Sequence, residues 1–171
     1  MAWFSRKDDD DDTQPAPALG RRPPIAEVPV GDDELVLPKV RALPQDQREW
    51  IAHTLADAAA AGIDVDDLAS IAAAYDGWLA DWLAQRESKR PDHQVLVDRL
   101  GVAIGEHLVR HTDMEWGLVS DAFGTDLGVA ARSDDFAVVP MNLVAVRWLN
   151  RTSGWVPGVI GHLVALRTTM R

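Results

Sequence analysis

The chain has 171 residues, a length that suits one domain with a tail, and its 47% hydrophobic content permits a packed core. Its formal net charge is −10, and residues 45–131 hold 6 Lys or Arg against 16 Asp or Glu, which argues against a nucleic-acid surface. Cysteine is missing from the sequence, so disulfides and thiolate chemistry are excluded.

Neither end of the chain has the pattern of an export signal or a membrane span. The start, MAWFSRKDDDDD, lacks an apolar core of signal-peptide length. The longest apolar run near the other end, from Trp155 to Leu166, contains Pro157 and is much shorter than the roughly 20 residues that a spanning helix needs. We therefore expect a cytoplasmic protein without a membrane span.

Residues 1–43 are predicted to form a disordered acidic and proline-rich tail. Residues 8–12 are all aspartate, and prolines recur through the rest of this segment, a composition that resists compaction. The pair Pro23-Pro24 could dock in an aromatic groove, although a solvated linker is the favoured interpretation. Residues 35–40 are apolar enough to lie on the domain as an arm.

Residues 44–171 are predicted to form a single α+β domain that begins with helices. The first helix is expected over residues 44–61, because Gly62 suits its C-terminal end. The second is expected to begin near Asp64 and to end before Pro91, since the residue before a proline disfavours helical geometry.

The third predicted helix covers residues 92–111 and has an apolar stripe centred on Leu100. Gly101 and Gly105 lie inside it, and each lowers helix propensity by about 1 kcal/mol relative to alanine. A helix that keeps two such residues is expected to be approached closely by another backbone.

After this helix the apolar period changes from helical to alternating. The runs EWGLVSD, LGVAARS and FAVVP are joined by short polar connections, which predicts an antiparallel meander of three strands. Helices are expected over residues 142–150 and 156–168. The predicted fold is thus an N-terminal three-helix unit packed on a small three-stranded antiparallel sheet, followed by one or two C-terminal helices.

Two histidines on the third helix have the spacing of a helical metal pair. His107 and His111 are four residues apart, but Leu108 occupies the position of the catalytic glutamate in a zinc-protease helix. Both also lie on the core-facing stripe. They are therefore weak metal candidates, and we predict half-buried structural histidines and no metal.

Three carboxylates could form a cluster if the strands fold back on the third helix. Glu106, Asp121 and Asp126 would then suit acid–base chemistry or cation binding. The favoured interpretation is structural: Asp121 and Asp126 hold turns, and Glu106 pairs with an arginine. Arg147 is a natural partner for one of these carboxylates.

A moderately specific set of spaced residues runs through this region. It reads Leu100-Gly101-x-Ala103-x-Gly105-Glu106, then Trp116, Asp121-x-x-Gly124-x-Asp126, Val129, Pro140 and Arg147. This pattern resembles a bacterial family of domains of unknown function, number 3806, over roughly residues 45–150. The resemblance implies a compact cytoplasmic α+β domain without assigned activity, and it supplies no catalytic residues.

The leading functional hypothesis is a non-enzymatic binding or regulatory domain that engages a basic protein partner. We identify no catalytic residue and expect no cofactor. The alternative is a small metal-binding protein or hydrolase that uses Glu106, His107, His111, Asp121 and Asp126. A third possibility is a structural subunit that self-associates through Gly154, Gly158 and Gly161. The candidate ligand or partner surface comprises Glu106, Trp116, Asp121, Asp126 and Arg147.

Overall fold

The computed structural model describes residues 21–25, 39–121, 124–133 and 136–169. The acidic run at residues 8–12 and the apolar start of the chain lie outside these residues. The strands are β1 (Lys39–Arg41), β2 (Met114–Asp121), β3 (Gly124–Ala131) and β4 (Ala137–Val138). The helices are α1 (Gln45–Ala60), α2 (Leu68–Ala84), α3 (Gln94–His111), α4 (Pro140–Leu149) and α5 (Val156–Thr169), with a 3-10 turn at Glu87–Lys89. None of the helices in these ranges is long and apolar enough to cross a bilayer.

Helix α3 is the centre of the fold. Leu100, Ile104 and Leu108 are fully buried along its apolar stripe, as the helical spacing predicts. The helix packs against α1, α2, α4 and α5, and also against β2 and β3. Every other helix of the described chain is therefore positioned by contacts with this one element.

The four strands form one antiparallel sheet in chain order, β1-β2-β3-β4. Trp116 of β2 lies opposite Val129 of β3, and Val129 lies opposite Val138 of β4. These three strands are the meander that the alternating pattern predicts. The fold class, α+β with an antiparallel sheet, is confirmed.

The prediction of three strands is wrong, because β1 adds a fourth. It lies within the segment predicted to be a disordered tail, and Val40 pairs with Val119 at the edge of β2. Three residues after a proline-rich stretch carry no recognisable strand pattern. Their pairing satisfies backbone groups of β2 that would otherwise need water.

The predicted three-helix unit is also not a separate layer. Helices α1 and α2 each pack on α3, and so do α4 and α5, which were expected to follow as a closing element. Helix α2 begins at Leu68 instead of Asp64, because Asp67 caps it by accepting a hydrogen bond from the backbone N–H of Ala69 at 2.9 Å. The α1 end at Gly62 agrees with the prediction, with φ at +83°.

The glycines of α3 are sites of close contact. A Cβ at Gly101 would lie 2.9 Å from the Cα of Met141 in α4, so the two backbones can approach only because this position is glycine. A Cβ at Gly105 would instead collide with the indole ring of Trp116. The expected close approach of another backbone is therefore present at Gly101. At Gly105 the close neighbour is an aromatic side chain and not a backbone.

Candidate functional site

A groove of about 930 Å³ lies on the described part of the chain. It separates residues 21–25 from helix α1 and from the first half of α3. Its walls include Arg21, Arg22, Pro23, Pro24 and Ile25 on one side, Trp50 and Thr54 of α1, and Asp92, Gln94, Val95 and Asp98 at the start of α3. A groove of this size can hold several residues of a peptide.

Residues 21–25 are attached to the body of the protein by three contacts. Arg22 Nη1 donates to Asp126 Oδ1 at 3.0 Å. Gln47 Nε2 donates to the backbone oxygen of Pro23 at 3.0 Å. Ile25 packs against the edge of the core. Part of the predicted tail thus lies on the domain, with a basic side chain against a carboxylate.

The Asp126 carboxylate is also oriented by hydrogen bonds to residues other than Arg22. Its Oδ1 accepts a hydrogen bond from the backbone N–H of Leu127 at 2.9 Å, and its Oδ2 accepts one from Asn142 Nδ2 at 3.4 Å. These bonds orient the carboxylate from β3 and from the first turn of α4. A fixed carboxylate loses less conformational entropy when it binds a cation.

The α3 wall of the groove is acidic. Asp98 accepts a hydrogen bond from Gln94 Nε2 at 2.8 Å. Burial raises the pKa of the Asp98 carboxyl, while its bond to Gln94 and the positive charge of Arg22 act in the opposite direction. A partly buried carboxylate that is destabilised by its surroundings gains from a nearby cation. This wall therefore favours a basic occupant.

Glu106 and Asp126 of the predicted carboxylate cluster bind different partners. Glu106 Oε1 accepts from Arg110 Nε at 2.9 Å, and Glu106 Oε2 accepts from Trp116 Nε1 at 3.2 Å. Asp126 binds Arg22 on another element instead. The expectation that Glu106 pairs with an arginine is confirmed. Asp121 ends β2 opposite Gly124 and engages neighbours of its own.

Arg147 does not pair with any of the three carboxylates, contrary to the sequence prediction. Its guanidinium lies 4.3 Å from the ring centroid of Trp155, and its Nη1 donates to the backbone oxygen of Leu143 at 3.2 Å. Cation–π attraction and the C-terminal end of α4 hold this side chain. The five residues of the predicted surface therefore do not share one set of partners: Glu106 bonds to Trp116, whereas Asp126 and Arg147 contact other side chains.

The two histidines of α3 have different environments. His107 is buried, and its Nδ1 donates to the backbone oxygen of Val65 at 2.8 Å. His111 is exposed, with its Nε2 3.8 Å from Asp66 Oδ1, so only His107 faces the core although both lie on the stripe that was predicted to do so. Within the described ranges, no group of three or more His, Asp or Glu side chains could hold a metal ion.

His107 makes stability depend on pH. Burial lowers its pKa, the neighbouring His111 adds to this effect, and the bond to Val65 and the charge of Asp66 oppose it. The folded state therefore holds its proton less tightly than the unfolded state, whose pKa is about 6.5. The resulting stabilisation is present above that value and is lost as the pH falls towards the lower, folded-state pKa.

We predict that the free energy of unfolding falls more steeply between pH 7.5 and 5.5 in the parent protein than in the His107→Gln variant. Urea denaturation at several pH values measures this difference. The His53→Gln variant is the matched control, because His53 is exposed on α1 beside Asp57. Equal slopes for the parent and His107→Gln would contradict the assignment.

Several groove residues were missed by sequence reasoning. Trp50 and Asp98 were not singled out as site residues. The available signal was the basic and proline-rich character of residues 21–25, which suggests a docking segment but does not identify its groove. Trp50 and Asp98 belong to different helices, so only the packing of α1 on α3 brings them together.

Comparison with known proteins gives one match. A family model described as Domain of unknown function (DUF3806) matches residues 78–157, a range that contains α3, the β2–β4 strands and α4. No curated protein and no solved structure matched the chain. The groove thus joins the start of α3, inside the matched range, to α1 and residues 21–25, outside it, and Arg22 of this segment bonds to Asp126, inside the range. Residues 78–157 of this chain therefore match the DUF3806 family of domains of unknown function, the family that the sequence pattern resembles.

Proposed function

We propose that this protein is a non-enzymatic binding domain whose groove takes a basic, proline-containing segment of a partner protein. The ion pair between Arg22 and Asp126 carries this proposal. It places Arg22, a basic residue that lines the groove, against the oriented carboxylate of Asp126. Residues 21–25 now form one wall of the groove by lying against Asp126 and α1, and we propose that a partner segment of similar chemistry replaces them on this surface.

Charge and backbone geometry both favour such an occupant. Arg22 pairs with Asp126, and Asp92 and Asp98 line the groove together with Arg22. Pro23 and Pro24 fix their own φ angles, and each restricts the residue before it to extended geometry. A segment that is extended before binding loses little entropy on binding, which is the reason that many grooves select proline-rich peptides.

Residues 21–25, here called the cis segment, are held weakly enough to be displaced. The side chains of Arg22 and Asp126 are each 30% exposed, and such partly solvated ion pairs contribute on the order of 1 kcal/mol or less. One hydrogen bond and the packing of Ile25 add to it. Because the segment is tethered, its effective concentration is nevertheless in the millimolar range, so it reduces the apparent affinity of a competing peptide.

A titration in trans tests the proposal. A fluorescein-labelled peptide with the sequence of residues 19–27 is titrated with the full chain and with its Arg22→Ala variant, and fluorescence polarisation measures binding. Loss of the cis ion pair frees the groove, so the variant is expected to bind the peptide about three- to tenfold more tightly than the parent.

The Arg21→Ala variant is the matched control, because it removes the same charge from the neighbouring residue, which is exposed. It is expected to bind the peptide with nearly the affinity of the parent. Binding should also weaken as salt is raised, since charges attract the peptide. Equal affinities for the parent and the Arg22→Ala chain, or binding to neither, would overturn the proposal.

A further inference from the structure

Gln47 is buried next to residues 21–25, and only one of the two polar atoms of its side-chain amide makes a hydrogen bond within the described part of the chain. The side chain is 1% exposed, and its Nε2 donates to the backbone oxygen of Pro23. Its Oε1 is buried too and accepts no hydrogen bond from any described residue. A buried carbonyl oxygen without a donor costs about 1–3 kcal/mol, so its presence here calls for a physical explanation.

The local backbone explains why this oxygen has no donor. Gln47 is the third residue of α1, a position from which glutamine commonly accepts the N–H of the helix-capping residue. The capping residue here is Pro44, which has no N–H. Pro23, whose backbone oxygen accepts from Gln47, has no N–H to donate either, and the same is true of Pro24.

Resting on the proposed function, we infer that Gln47 determines specificity by binding both backbone groups of one residue of the partner segment. The N–H and C=O of an extended residue point to the same side of the chain, where a partner can bond to both. A carboxamide offers one donor and one acceptor to such a pair. The preferred ligand therefore has an Arg, then a residue with a free N–H, then a Pro.

This arrangement makes the cis segment an imperfect occupant. Pro23 satisfies the donor of Gln47 but leaves its acceptor without a partner, whereas a partner with alanine at the same place satisfies both. A foreign segment of this class gains one hydrogen bond that the protein's own segment cannot make. That difference allows a partner to displace residues 21–25 in spite of their tether.

Three peptides separate this effect from the rigidity of proline. Each has the sequence of residues 19–27, with proline, alanine or N-methylalanine at the place of Pro23, and each is titrated against the Arg22→Ala chain. Alanine and N-methylalanine differ by one N–H and one methyl group. The alanine peptide is expected to bind about five- to tenfold more tightly than the N-methylalanine peptide.

The Gln47→Leu substitution in the same chain should abolish this preference, with the fold checked by circular dichroism. If that variant does not fold, the ratio of the alanine and N-methylalanine affinities on the Arg22→Ala chain still decides. Equal affinities of those two peptides, while the proline peptide binds, would overturn the role of Gln47 and leave the proposed function standing. If no peptide binds, the proposed function itself fails.

Discussion

Replacement of Gly105 by alanine is expected to lower the free energy of unfolding by about 1–3 kcal/mol, although alanine is the better helix former. The new methyl group would occupy the place of the Trp116 indole ring, which packs directly over Gly105. The ring would have to move, and its hydrogen bond to Glu106 at 3.2 Å would be lost. Urea denaturation followed by circular dichroism measures the change.

The Gly77→Ala variant is the matched control for this substitution. Gly77 lies inside α2, is exposed, and would have nothing within 4 Å of an added Cβ. Alanine there should stabilise the protein by about 0.5–1 kcal/mol through helix propensity alone. The two variants are therefore expected to shift stability in opposite directions. Stabilisation by both would show that α3 is not packed against Trp116 in this way.

Replacement of Arg167 by methionine is expected to cost about 2–3 kcal/mol, because it leaves a partly buried carboxylate without its cation. Arg167 lies in the last turn of α5, and its Nη2 and Nε donate to the two oxygens of Asp113 at 2.8 and 3.1 Å. The side chain of Arg167 is 8% exposed and that of Asp113 is 22% exposed. This pair joins the C-terminal helix to the start of the sheet.

An exposed ion pair on the same sheet provides the comparison. Arg132 lies 2.7 Å from Glu115, but these side chains are 73% and 63% exposed. The Arg132→Met variant should lose less than about 1 kcal/mol, since water screens such pairs. In a double variant, Asp113→Asn should recover part of the loss caused by Arg167→Met. Equal losses for both arginine variants would contradict the importance of burial at Asp113.

The centre of the fold was predictable because its signals are local. Spacing along the chain predicts the apolar stripe of α3 and the alternating runs of β2, β3 and β4. The low helix propensity of glycine predicts a close neighbour at Gly101. Strand β1 was not predictable, because three residues acquire strand geometry only from the edge of β2. The identity of Met141 as the neighbour of Gly101 also depends on how α4 packs.

The candidate site was less predictable, since its contacts join distant parts of the chain. The bond of Glu106 to Arg110 spans four residues and follows from helical geometry. The bond of Arg22 to Asp126 spans 104 residues. No pattern links the two partners, because their proximity depends on where residues 21–25 lie on the folded domain. Arg147 was assigned to the wrong partner for the same reason.

One titration tests the central claim, that a carboxylate at Asp126 selects a basic residue at the edge of the groove. Two peptides with the sequence of residues 19–27, one with Arg and one with Glu at the place of Arg22, are titrated against the Arg22→Ala chain with and without Asp126→Arg. The Arg peptide is expected to bind more tightly when Asp126 is present, and the Glu peptide when it is replaced. The same preference in both chains would contradict the proposal.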